Sequence, residues 1–176
     1  MYPYCKESAF TLFELVICLA ILMITISLVT PSIHSFKQKQ EQKLILSTIK
    51  QHVSLAKYSA VSLRRNVVIC SSKNYEICED QQWNNAFILF VDLNKNKQRE
   101  ANEPLLQVTK THNKYGNLIW KGGVTNLQTV TFQGDTGLPR GSQGAFYYCS
   151  YQALNHTYVA ISGMGHTRVE QRKSCA

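Results

Sequence analysis

The chain has 176 residues, 44% hydrophobic and 17% charged. That length suits one domain plus an appendage, and the absence of internal repeats or low-complexity linkers excludes a repeat array. Nineteen Lys and Arg against eleven Asp and Glu give a formal net charge of +8, which describes either a solvated basic surface or one that meets a polyanion such as nucleic acid or anionic lipid.

The apolar residues are concentrated at the start. Phe10 to Val29 is a run of twenty residues with a single charge, Glu14. At about 1.5 Å per residue, a helix of that length spans roughly 30 Å, the hydrocarbon thickness of a bilayer. A secretory signal has a shorter apolar region, about 7–15 residues, ending at a small-residue cleavage site. Here the run passes instead into Thr30-Pro31-Ser32-Ile33, so the segment reads as a retained membrane helix. A carboxylate costs ~2.5–3.5 kcal/mol at the centre of such a helix and less near its end, which marks Glu14 as functional.

Beyond Pro31 the pattern stays helical without staying apolar. Ile45, Ile49, Val53, Ala56, Ala60 and Leu63 recur at spacings of three and four and so share one face. One long helix is expected from Phe10 to Arg65, with a kink or loosening where Pro31 removes a backbone hydrogen bond. The amphipathic half, 30–65, needs a partner for its stripe. The remainder, 66–176, supplies one, because no helical period returns. Val67–Cys70, the fully apolar Ala86–Val91, Leu105–Thr109, Asn117–Trp120, Gln128–Gln133, Gly144–Cys149, Thr157–Ser162 and His166–Glu170 read as strands at hairpin-like spacing. Gly122-Gly123, Gly134 to Pro139 and Gly163-Met164-Gly165 punctuate them as turns. The fold class expected is α+β, a long N-terminal helix packed on an antiparallel β-sheet domain.

Cys5 and Cys18 lie before and within the apolar run; Cys70, Cys78, Cys149 and Cys175 lie in the polar remainder. Four cysteines allow three pairings, of which a short Cys70/Cys78 loop with a Cys149/Cys175 staple is preferred. Zinc is the rival, but no C-x-x-C or nearby Cys/His cluster supports it, and no metal or cofactor is assigned. Disulfides require an oxidising compartment. Lys37, Lys39 and Lys43 after the run outnumber Lys6 before it, so a Lys/Arg count alone would place the C-terminal side in the cytoplasm. Large domains translocate regardless of such counts, and the cysteines place 66–176 outside.

Ser8-Ala9 followed by Phe10-Thr11-Leu12-Phe13-Glu14-Leu15 resembles the class III signal of type IV prepilins and type II secretion pseudopilins. The resemblance implies a leader of residues 1–9, cleavage between Ala9 and Phe10 by a prepilin peptidase, and methylation of the new amino terminus at Phe10. The family carries a glutamate fifth and a proline twenty-second after the cut; Glu14 and Pro31 occupy those places, and Ala9 stands where Gly is usual. Glu14 would then meet the new amino terminus of a neighbouring subunit, where a wrong register leaves a buried charge unpaired. Cys70, Cys78 and Trp83, then Phe87 to Asn96, then Glu103-Pro104-Leu105-Leu106 narrow the resemblance to the FimT/GspH branch of minor pilins and pseudopilins. It covers nearly the full chain. It implies other pilins or pseudopilins as partners, a single-pass inner-membrane precursor with a periplasmic domain, and a place near the tip of a pilus or pseudopilus.

Asp92, Asn94, Asn96 and Glu103 fall at positions 1, 3, 5 and 12 of a calcium-loop template. Lys97 occupies the glycine position, so a hairpin connection whose Asp and Asn bond their own backbone is preferred. From Pro104 onward seven Lys and Arg face two acids. DNA-binding FimT proteins, which serve uptake in natural transformation, carry a Gly-Arg-x-Arg turn that Gly165-His166-Thr167-Arg168 resembles, with His166 replacing the first Arg. Arg168, Arg172 and Lys173, with His166, Lys121 and Arg140, are the candidate contacts to double-stranded DNA. Backbone binding sums over phosphate contacts, so losing one Arg weakens it without abolishing it. Tyr147, Tyr148, Tyr151 and Tyr158 either stack on bases or, as preferred, pack in core and sheet. The five histidines are scattered and no catalytic fingerprint appears: the chain is not read as an enzyme.

Overall fold

In the computed structural model, residues 11–123, 128–151 and 156–175 are described, with the backbone alone for 28–32. The leader, Ala9 and Phe10 lie outside these residues, as does the side chain of Pro31. Among the described residues the order is one helix, α1 (Leu12–Leu63), then eight strands: β1 (Asn66–Ser72), β2 (Ala86–Asp92), β3 (Leu105–Lys110), β4 (Gly116–Gly122), β5 (Thr129–Phe132), β6 (Gly144–Ser150), β7 (His156–Ile161) and β8 (Thr167–Arg172). Packing divides the chain into two units, Met1–Lys39 and Gln40–Ala176.

In the first unit, α1 presents apolar side chains with nothing over them: Leu12 is 81% and Met23 70% exposed. Among the described residues no helix is long and apolar enough to cross a membrane; the apolar run of the sequence begins and ends in residues whose side chains lie outside that set. The helix assignment continues through Pro31.

In the second unit the strands form two antiparallel sheets of order β3-β2-β1-β5 and β4-β6-β7-β8. Ile45, Ile49, Val53, Ala56 and Ala60 of α1 are buried, the face set by their period. Leu63 departs from that expectation and is 48% exposed, because the helix ends there. The amides of Arg64 and Arg65 turn back to the carbonyls of Val61 and Ala60, both at 3.3 Å. Arg64 takes a left-handed φ of 50°, the usual geometry just past a helix C-terminus.

Strand β2 is buried at all seven positions, which explains its apolar run from Ala86 to Val91. Phe87, Leu89 and Val91 face the main core with Val67, Ile69, Val130, Phe132 and the helix stripe. Ile88 and Phe90 face a second cluster with Val68, Cys70 and Cys78. The Cys70–Cys78 disulfide, with Cα atoms 5.6 Å apart, closes the loop beside that second cluster. The other sheet contributes Leu118, Trp120, Phe146, Tyr148, Val159 and Ile161 to the main core. There Trp83 meets Phe146 edge-on at 4.9 Å and Trp120 lies 4.6 Å from Phe146, arrangements that aromatic quadrupoles favour.

Two polar clamps join these layers. The Glu41 carboxylate accepts the amides of Lys114 at 2.9 Å and Tyr115 at 3.0 Å and the Tyr148 hydroxyl at 2.7 Å. Burial and the Glu41 carboxylate together hold the Tyr148 phenol well above its ordinary range. The Asn84 side chain donates to Asn117 and accepts the Leu118 amide at 2.6 Å, tying the loop before β2 to β4.

Candidate functional site

At the start of α1 the geometry is local. Thr11 precedes the first helical residue; its hydroxyl accepts the Glu14 amide at 3.3 Å, and Glu14 Oε2 accepts the Thr11 amide at 3.4 Å. This is a capping box, two helix-terminal donors satisfied reciprocally. The T-x-x-E spacing carries that signal in the sequence, but the membrane context draws attention to the acid's charge instead. In the isolated chain Glu14 therefore bonds its own helix end.

Of the basic candidates, Lys121, Arg168 and Arg172 lie on strands of the second sheet, while Arg140 lies between β5 and β6, His166 in the turn before β8 and Lys173 just past it. Lys121, Ala145, Ala160 and Arg168 form one cross-strand row. At about 4.8 Å per strand this separates Lys121 from Arg168 by roughly 14 Å. The next row holds Tyr147, Tyr158 and Glu170. Arg172 lies opposite His156, about 13 Å along β8 from Arg168. Arg168 and the Gly165-His166 turn are thus at one end of β8, with Arg172 and Lys173 at the other. The proposed contacts do not form a single cluster.

Glu170 lies between them. Arg168 Nε is 2.7 Å from its Oε1, and the Tyr158 hydroxyl donates to its other oxygen. The Arg172 guanidinium lies over the Tyr158 ring at 4.5 Å, and Lys121 Nζ is 5.9 Å from the Tyr147 ring. Tyr147 and Tyr158 stack on each other at 5.6 Å. Tyr148 is buried and, of these four tyrosines, Tyr151 alone is well exposed, at 68%, so packing accounts for the other three. Arg140 pairs with Asp135 at 3.9 Å, both exposed.

The β7–β8 turn is closed by the Ser162 amide to the His166 carbonyl at 3.0 Å, with the His166 amide on the Ser162 hydroxyl at 3.1 Å. Lys57 of α1 reaches this turn: its Nζ lies 3.7 Å from the point a Cβ on Gly165 would occupy. Sequence periodicity assigns Lys57 only to the polar side of the helix, and nothing in the sequence places it beside Gly165.

The cysteine pairs expected are those formed, Cys70–Cys78 and Cys149–Cys175. The structure also brings His156 beside the second pair, with ligand atoms of Cys149, His156 and Cys175 all within 4.8 Å of one another. Cross-strand pairing, not sequence spacing, makes this cluster; its two sulfurs are joined to each other.

The calcium-like loop closes on itself. Asn94 Oδ1 accepts the Asn96 amide at 3.0 Å, Asn96 Oδ1 the Gln98 amide at 2.8 Å and Asp92 Oδ2 the Lys97 amide at 3.1 Å. Glu103, 2% exposed, accepts the Leu93 amide at 2.7 Å and the Glu100 amide at 3.1 Å. Each of these side chains bonds backbone within the loop, Asp92 through Oδ2 alone.

One long helix whose second half packs on antiparallel sheets, with two disulfides in the sheet domain, defines a pilin-type filament subunit. A family model described as type II transport protein GspH matches residues 47–165, so the chain belongs to the GspH family, whose members are minor pilins and pseudopilins. The fold is similar to that of the type IV minor pilin FimU of Pseudomonas aeruginosa strain PAO1 in two crystal forms. One gives 17% identity and a TM-score of 0.56 over 80% of this chain and 96% of that one. The other gives 16% identity and a TM-score of 0.50 over 74% and 93%. No curated protein matches the sequence significantly.

Proposed function

We propose that the chain is made as a prepilin with the leader 1–9, cut between Ala9 and Phe10 by a prepilin peptidase, and methylated at Phe10. Residues 10–29 anchor it in the inner membrane and form the assembly half of the helix; 30–65 are the amphipathic half, and 66–176 form the periplasmic domain. The subunit then enters a type IV pilus or type II secretion filament near its tip. The observation that carries this reading is the register in which Glu14 falls fifth and Pro31 twenty-second from one junction. GspH-family membership and the uncovered apolar side chains of α1 support it, since such a surface needs lipid or neighbouring helices. In the filament the neighbour's amino terminus replaces Thr11 as the partner of Glu14. Mass spectrometry of the membrane form should find methylated Phe10 at the amino terminus; an intact Met1 would sink the proposal.

A second, compatible reading is a receptor for double-stranded DNA. It is favoured by Lys121 and Arg168 in one cross-strand row with His166 and Lys57 at the neighbouring turn; Arg172 and Lys173 would add contacts at the other end of β8, and Arg140 from the β5–β6 connection. Glu170 competes with phosphate for Arg168, so binding through this face should be weak and steeply salt-dependent. Gel shifts with the full chain in detergent test it. Duplex binding undiminished by the triple change Arg168→Ala/Arg172→Ala/Lys173→Ala removes this reading.

A further inference from the structure

Where α1 runs into β1, the ends of β2 and β5 leave an open cleft of about 940 Å³ lined by Arg64, Arg65, Asp92, Lys95, Gln133 and Asp135, among others. That is near the upper end of the roughly 300–1,000 Å³ typical of ligand clefts. Three of these residues are cationic and exposed, and among the described residues no ion pair or side-chain hydrogen bond engages Arg64, Arg65 or Lys95. The wall is rigid. Gly134 packs so closely on the helix-to-strand junction that a Cβ there would lie 2.5 Å from the Arg65 amide, and its own amide bonds Asn66 Oδ1 at 3.2 Å.

Asp92 supplies the independent observation. The residue is 1% exposed. Its Oδ2 accepts the Lys97 amide, but its Oδ1 is buried with no hydrogen-bond partner. Buried polar atoms are nearly always satisfied, and an exception calls for a missing donor. The cleft therefore asks for two things at once, a donor for Asp92 and negative charge for three unpaired cations.

We propose that this cleft binds an acidic polypeptide segment of another subunit. The segment's side-chain carboxylate sits among Arg64, Arg65 and Lys95, and one of its backbone N–H groups donates to Asp92 Oδ1, which a turn of the Asp92 carboxylate brings to the cleft surface. A peptide carries both groups within one or two residues. A phosphodiester backbone offers acceptors only, and would set its repeated charge against Asp92 and Asp135 as well. The inference rests on the filament reading for the source of the segment alone.

The fold provides a clean test. Arg64 and Lys95 have φ of 50° and 64°, left-handed conformations that glycine adopts without steric penalty. Arg64→Gly/Lys95→Gly should remove two cations and leave the melting temperature unchanged. The full chain in detergent micelles is titrated into a dye-labelled, acetylated peptide of alternating Gly and Glu, followed by fluorescence anisotropy, with a Gly/Gln peptide as control. Salt-sensitive binding is expected, at least tenfold weaker for the Gln peptide and for the double variant. Arg65→Gln, which alters an exposed side chain outside every hydrogen bond of the fold, should weaken binding likewise if the double variant proves less stable. Equal binding by wild type and variants, or by both peptides, overturns the proposal. So does a thymidine oligonucleotide that binds more tightly through the same three cations. Peptide binding needs no filament, so its failure leaves the assembly reading standing, and an unprocessed Met1 would not affect the cleft.

Discussion

His52 is a buried base with both ring nitrogens engaged. Nδ1 lies 2.8 Å from the Thr48 carbonyl oxygen and must carry the proton; Nε2, 2.8 Å from the Thr109 hydroxyl, then accepts. Its ring meets Phe87 edge-on at 4.7 Å. Burial outweighs the helpful Thr48 bond and lowers its pKa below 6.5. The sign follows directly: below pH 6.5 the unfolded chain takes a proton that the folded chain refuses, so the stability this residue contributes is present above pH 6.5 and is lost as the pH falls toward its folded value. The slope is at most about 1.4 kcal/mol per pH unit. Thermal melts between pH 8 and 5 should show it, and His52→Gln should flatten the profile relative to wild type. Glu41 is the complementary case, one carboxylate serving three donors. Hydrogen bonds to a charged group contribute about 1.5–3 kcal/mol each where buried, and less here, where Glu41 is only partly buried. Glu41→Ala should destabilise by about 2–3 kcal/mol in denaturant titrations, with Glu41→Gln between it and wild type.

All eight strands and the helix were readable from pattern, because period 2 and period 3.6 report directly which side of an element is buried. β2 shows why this works: its apolar run is buried on both faces, and no polar residue interrupts it until Asp92. Legibility stopped where long-range pairing decides the outcome. Glu170 has no sequence feature separating it from a surface acid, yet the β7–β8 register sets it against Tyr158 and beside Arg168. The same holds for Lys57, His156 and the Arg64/Lys95 cleft, each assembled by elements far apart in the chain. The turns lie between these extremes: glycine marks them, but not what they touch. Gly137 has a φ of 66°, and a Cβ there would stand 2.7 Å from Val61 Cγ2 and 3.0 Å from the Lys57 carbonyl. That turn is pressed onto the last turns of α1. The left-handed penalty is about 1–2 kcal/mol, and overlap adds to it. Gly137→Ala should therefore cost about 2–3 kcal/mol, read as a lower denaturant midpoint with an unchanged slope.

For the molecule as a filament subunit, the decisive group is again an acid, and two roles have to be separated. Glu14 closes a capping box on its own helix, and a capping box accepts Gln as readily as Glu, since the returning group need only be a hydrogen-bond acceptor. Pairing with a neighbour's ammonium needs the charge: in a nearly dry interface the charged pair holds one register, and an amide facing an ammonium leaves it uncompensated. Glu14→Gln therefore keeps the helix start and removes the electrostatic key. On the filament reading, the variant should accumulate in the membrane at wild-type level with unchanged helical content. It should be lost from sheared filaments by at least tenfold on immunoblots. Glu14→Ala should lose both, with a frayed first turn worth about 1 kcal/mol. If Glu14→Gln enters filaments like wild type, the acid acts only as a cap, and subunit register must be set elsewhere along the apolar surface of α1.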